Sequence, residues 1–97
     1  MFVRLVLYQL EPGNQATAEA LAADLGPAIN ARPGCQGVTF FGDDADGQYG
    51  IFVLWDSREN AESAREVIGP RLQRHLAGRT QGEPVPRLFE VIQPEKK

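Results

Sequence analysis

Cysteine, histidine and tryptophan occur once each in this chain, as Cys35, His75 and Trp55. A lone cysteine cannot close an internal disulfide, so a reducing cytoplasm is the expected setting. One histidine and one cysteine cannot assemble a zinc site. The Asp43-Asp44-Asp46 loop has neither the glycine nor the closing glutamate of a calcium loop, and reads as a solvated turn. No metal and no cofactor is expected. Positive charge is also scarce. Ten Lys and Arg stand against 13 Asp and Glu, giving a formal net charge of −3. A nucleic-acid protein would show a basic excess or stripe. No apolar run approaches the ~20 residues of a membrane helix, and no basic stretch followed by an apolar one marks a signal peptide. A phosphate-cradling glycine loop and a Gly-x-Ser-x-Gly elbow are both missing.

A further absence is more informative: the strands have no polar face. In Phe2-Val3-Arg4-Leu5-Val6-Leu7-Tyr8-Gln9-Leu10, one side carries Phe2, Val6, Tyr8 and Leu10, and the other Val3, Leu5 and Leu7. Ile51-Phe52-Val53-Leu54-Trp55 is apolar on both sides too. An antiparallel sheet in a small monomer commonly has one wet face. Two apolar faces need two covers. The pattern predicts helices on one side and a second copy of the chain on the other. The side with Phe2, Val6 and Tyr8 is assigned to the dimer, and Leu7 to the pocket side. Arg4 then falls at the dimer face, snorkelling at its rim or pairing across it.

The 97 residues fit one domain, 1–97, with a frayed tail over about 94–97. A chain of this length buries roughly 60–68 % of its unfolded surface, and dimerisation would add to that. Residues 2–10 read as a strand stopped by Glu11-Pro12-Gly13. A helix follows from about Asn14, with Ala18, Leu21, Ala22, Leu25, Ala28 and Ile29 on one face. Gly37 to Phe41 is the second strand. Gly42–Gly47 is a hairpin loop in which Asp46-Gly47 supplies positive φ angles. Tyr49 to Trp55 is the third strand. A second helix opens at Asp56 or Ser57, where Asp56 and Glu59 have capping-box spacing. Its stripe is Ala61, Ala64, Ile68, Leu72 and Leu76. Gly26-Pro27 and Gly69-Pro70 are expected to kink or break the two helices. Arg87 to Ile92 is the fourth strand. The order is βαββαβ, an α+β, ferredoxin-like unit with an antiparallel sheet.

Two segments then carry a family resemblance. Pro33-Gly34-Cys35-Gln36-Gly37-Val38 joins the first helix to the second strand. Trp55-Asp56-Ser57-Arg58-Glu59 joins the third strand to the second helix. Together, in a βαββαβ chain of this length, they resemble the antibiotic biosynthesis monooxygenase (ABM) domain family. The resemblance implies a dimeric α+β barrel: a homodimer with facing sheets and a pocket between each sheet and its helices. It also implies functional variety, since branches oxidise anthrones with O₂ and no cofactor, act on quinols, degrade haem, or handle small signalling molecules. The anthrone-oxidising branch keeps a strand Trp, matched by Trp55. Its Asn four residues earlier and Tyr six residues later are replaced by Ile51 and Ala61. The haem-degrading branch's Asn, Trp and His fall at Leu7, Ser63 and His75, and only the His is kept.

The resemblance therefore implies a cofactor-independent monooxygenase-like activity on a small aromatic, quinol or polyketide-type molecule. The rival is a homodimer that binds a small apolar ligand without catalysis. Haem binding through His75 is a third reading. His75 is the only side chain with an ordinary pKa near neutrality, and is the candidate base; the alternative is a core-edge histidine favoured by a helix C-terminus. Trp55 can stack on a flat ligand or anchor the core. Ile51, Val53 and Leu7 are expected to line the pocket, with Arg65 reaching a ligand or pairing with an acid. Arg71, Arg74 and Arg79 near the end of the second helix suit its dipole, or an anion. Cys35 reads as a small packed residue.

Overall fold

The computed structural model describes residues 1–95, so Lys96 and Lys97, the end of the expected tail, lie outside the described residues. Its elements are β1 (Phe2–Gln9), α1 (Gln15–Asn30), β2 (Cys35–Asp43), β3 (Gln48–Trp55), α2 (Arg58–Leu76) and β4 (Val85–Glu90). The strands form one antiparallel sheet in the order β2-β3-β1-β4. This is the ferredoxin-like α+β arrangement read from the sequence. β2 is longer than expected at both ends, and β4 begins two residues earlier.

Both helices lie on one face of the sheet, and the register shows which. Rows on the covered face run Leu88–Arg4–Val53–Val38 and Pro86–Val6–Ile51–Phe40 across β4, β1, β3 and β2. The buried core joins Val6, Tyr8, Leu10, Tyr49, Ile51, Val53 and Trp55 of the sheet side to Leu21, Leu25 and Ile29 of α1 and to Ala61, Ala64, Leu72 and Leu76 of α2. Each buried Leu or Ile contributes roughly 1.5–3 kcal/mol. The expected assignment of faces is therefore reversed. Phe2, Arg4, Val6, Tyr8 and Leu10 belong to the helix side, and Val3, Leu5 and Leu7 to the other. Alternation fixes which residues share a face but not which face the helices cover when both are apolar.

The second face has no cover among the described residues. Its rows are Phe89–Val3–Leu54, Arg87–Leu5–Phe52–Thr39 and Val85–Leu7–Gly50–Phe41. Phe41, Phe52, Val85 and Phe89 are exposed there. The Phe41 ring lies across Gly50, where any Cβ would collide with it.

Neither Gly-Pro pair breaks its helix: Pro27 lies inside α1 and Pro70 inside α2. Proline disfavours a helical preceding residue through contacts with its Cβ, and glycine has none. The missing amide costs a bond without ending the run. Asn14 is the N-cap of α1, but its side chain donates to the Glu11 carbonyl instead of capping. Ser57, not Asp56, caps α2, its Oγ accepting from the Asn60 amide at 3.1 Å. In the β2–β3 loop only Gly47 has positive φ; Asp46 does not.

The two segments that carried the resemblance meet in space. The Asp56 amide donates to the Gly34 carbonyl at 2.9 Å. Gly34 has φ +80°, and a Cβ there would strike Asp56 and Asn60. The Pro-Gly turn and the Trp-Asp-Ser corner are therefore one structural joint, at which β3 hands over to α2.

Candidate functional site

Between the covered sheet face and α2 lies a cavity of about 230 Å³. Its floor is Arg4, Val6, Ile51, Val53 and Trp55 from β1 and β3. Its roof is Ala61, Ala64, Arg65, Ile68 and Leu72 of α2, with Ile29 of α1, Pro84, and Pro86 of β4 at the sides. It exists because α2 presents alanine at two roof positions, where larger side chains would fill the space. An apolar cavity of ~150 Å³ already accepts benzene, so this one has room for a one- or two-ring molecule.

Of the residues singled out from the sequence, Trp55, Ile51, Val53 and Arg65 line the cavity. Trp55 is 2 % exposed, and its indole Nε1 is buried with no hydrogen-bond partner. Arg65 is largely in solvent, 3.9 Å from Glu62. Leu7 does not line the cavity, because its side chain belongs to the uncovered face. Arg4, expected at a dimer rim, lines it instead. The reversal of faces explains both corrections.

His75, the candidate base, lies elsewhere: it sits on the flank of α2 that meets α1. Its Nε2 is 2.8 Å from Asp24 Oδ2, and Arg71 Nη2 donates to Asp24 Oδ1 at 2.7 Å. An ionised carboxylate only accepts, so Nε2 carries the proton in this pair. The His75 hydrogen bond, with help from Arg71, holds the Asp24 carboxyl below its ordinary value against the opposing effect of burial. The cluster ties α1 to α2 across a shallow surface depression shared with Arg74. Arg79 donates to the His75 carbonyl at 3.4 Å, so it serves the helix end.

The cavity's electrostatics are carried by Arg4 and Arg65 alone among the described lining residues; no carboxylate or imidazole is there. Arg4 is 14 % exposed, and its Nη2 donates to Glu62 Oε1 at 3.1 Å. The sequence offered one sign of this residue: a lone charge in the apolar β1 run. At the far end of the core, Tyr8 and Tyr49 stack at 5.8 Å. Burial pushes the Tyr8 hydroxyl up to about 12, and burial with the Asp44 hydrogen bond does the same to Tyr49. Neither tyrosine lines the cavity. No metal-binding group of His, Cys, Asp and Glu exists among the described residues.

With that geometry in place, comparison with known proteins decides the family. The sequence pattern of the family described as antibiotic biosynthesis monooxygenase matches residues 1–66. The chain belongs to that family. The matched stretch holds β1 to β3, both motif segments and the first part of α2, and so most of the cavity's walls. No curated protein matches this ABM chain. Solved structures match its fold at low identity. A protein of unknown function from Nitrosomonas europaea superposes with TM-score 0.82 at 16% identity, covering 99% of this chain and 93% of its own. SnoaB, a cofactor-independent oxygenase from Streptomyces nogalater, gives 0.77 at 16%, covering 99% and 97%. A protein from Mycobacterium tuberculosis gives 0.76 at 13%, covering 98% of each chain. At such identities these likenesses speak for the ABM fold. No helix of the described residues is long and apolar enough to cross a membrane.

Proposed function

We propose that this chain is a homodimeric, cofactor-independent monooxygenase-like protein that acts with O₂ on a small aromatic, quinol or polyketide-type molecule. The observation that carries the reading is the apolar, Trp-lined cavity in a chain of the ABM family. Such chemistry asks little of a protein. It must hold an electron-rich ring away from water and favour its deprotonated form. The ring anion then reacts with O₂ directly; one oxygen atom stays in the product and the other leaves as water. Trp55 offers a flat surface to the ring, and Ile51 and Val53 exclude water. The fold likeness to SnoaB, whose description is a cofactor-independent oxygenase, supports the same reaction class. The uncovered apolar sheet face supports the dimer.

Oxygen consumption with a panel of anthrones and quinols tests the activity. Uptake above the free-solution rate, lowered in Trp55→Ala, is the expected result. No excess uptake across the panel would overturn it.

A second reading is a non-catalytic binder of the same small ligands. One specific observation favours it. Ile51 and Ala61, which stand where one branch would carry Asn and Tyr, both line the cavity and leave it without a group that can take a proton. Binding of panel members without oxygen uptake is the signature of that reading.

A further inference from the structure

We infer that the cavity recognises an anion: Arg4 binds a carboxylate or phenolate on a flat aromatic ligand, and Glu62 is the carboxylate that the ligand displaces. This rests on the reading of the cavity as a small-molecule site, but not on any oxygen chemistry there.

Arg4 sits at the centre of the covered sheet face, paired in register with Val53 on one side and Leu88 on the other. A guanidinium on an apolar face needs partners for its donors, from protein, water or a ligand. A guanidinium has five N–H donors. Among the described residues, only Nη2 of Arg4 has a hydrogen-bonded protein partner, Glu62. The match is poor in a telling way. Arg4 is 14 % exposed, whereas Glu62 is 46 % exposed and also stands 3.9 Å from Arg65. The contact is single, where a carboxylate and a guanidinium can form two parallel bonds. Glu62 therefore reaches from the solvent side to neutralise a guanidinium whose backbone lies in the sheet. A ligand carboxylate arriving through the cavity would take both donors of the fork, and Glu62 would keep its neighbour Arg65. The surroundings strengthen the selection, because charge attraction grows as water is excluded. The rest of the lining supplies the apolar walls for the ring, with Gln73 the one neutral polar side chain among them.

A merely structural Arg4–Glu62 pair would contribute to stability and do nothing for ligand charge. Calorimetric titration with 2-naphthoate and with neutral 2-naphthamide separates the two, since their ratio cancels effects on folding. Wild type should favour naphthoate by roughly tenfold or more. Arg4→Met should abolish the preference while naphthamide affinity changes little, and Arg4→Lys should keep part of it. Glu62→Gln, a change at an exposed position, should raise naphthoate affinity severalfold and leave naphthamide unmoved, because the competing carboxylate is gone. Several results would overturn the inference: no preference in wild type, no binding of either probe, a preference that survives Arg4→Met, or naphthoate binding that fails to rise in Glu62→Gln. Oxygen uptake is read separately. A charge preference without uptake sinks the oxygenase alone, and uptake without a charge preference sinks the anion site alone.

Discussion

Phe52→Asp should split the proposed dimer without unfolding the protomer. Phe52 lies in the middle row of the uncovered sheet face, between Leu5 and Thr39, and is 39 % exposed. A phenylalanine presents ~200 Å² in all, so roughly 80 Å² of it remains for a partner to cover. At about 25 cal/mol per Å² that is ~2 kcal/mol from each protomer. A twofold interface uses the same residue twice, giving ~4 kcal/mol, or a roughly thousandfold weaker dimer on its loss. The aspartate adds the cost of burying a charge, so the figure is a lower bound. The core is on the opposite side of the sheet, and the protomer should keep its circular dichroism. Sedimentation velocity across a dilution series reads the result. A wild type that sediments as a monomer at every concentration would refute the reasoning, and so would a folded Phe52→Asp variant that dimerises as tightly as wild type.

Further outcomes follow from the joint, the tyrosines and the helix clasp. Gly34→Ala should lower stability in urea unfolding by more than the ~1–2 kcal/mol of a left-handed residue, because its Cβ also strikes Asp56 and Asn60; an unchanged midpoint would contradict the joint. Ultraviolet titration should find both tyrosines ionising near 12 in the folded protein. As pH rises above the ordinary value of ~10, the unfolded chain ionises first, so stability is full below ~10 and is lost as pH climbs through 12. Asp24 has a depressed pKa, so its contribution is present above the ordinary carboxylate pKa of ~3.9 and disappears as pH falls through the folded value. The stability gap between wild type and Asp24→Asn should close on acidification, and a gap independent of pH would break that account.

The strands, helices and their order were legible because each has its own period and its own stop signals. The two apolar faces of β1 were legible as well, but their assignment was not. Val3-Leu5-Leu7 and Val6-Tyr8-Leu10 are equally hydrophobic, and only the packing of Leu21, Leu25 and Ile29 against the second set settles the matter. From that single ambiguity came two errors, Leu7 placed in the cavity and Arg4 placed outside it. His75 failed for a different reason. It stands three residues from Leu72, within one turn of the buried stripe, yet the flank it occupies meets Asp24 of α1. A carboxylate 51 positions away in sequence leaves no local mark. Gly26-Pro27 and Gly69-Pro70 do not break α1 or α2, although each proline lacks the amide that would close a helical bond. The motif segments, by contrast, were informative beyond their spacing, since Gly34 and Asp56 prove to be hydrogen-bonded neighbours.

The placement of His75 changes how the proposed chemistry must run. Arg4 and Arg65 are the ionisable groups of the described lining, and arginine does not give up its proton in proteins. Neither can serve as a base. In the proposed reaction the lining itself therefore supplies no base, and its contribution is to make loss of the substrate's proton easier. A cation beside the forming anion stabilises it and lowers the substrate's pKa. The pH at which oxygen uptake is half-maximal should then follow each substrate's own acidity across a graded series of phenols or anthrones. It should lie below the free-solution pKa in every case. Arg4→Met should move it back up, and His75→Gln should leave it where it was. An inflection common to every substrate, and abolished by His75→Gln, would mean that the imidazole reaches the ring after all, through a rearrangement that frees it from Asp24.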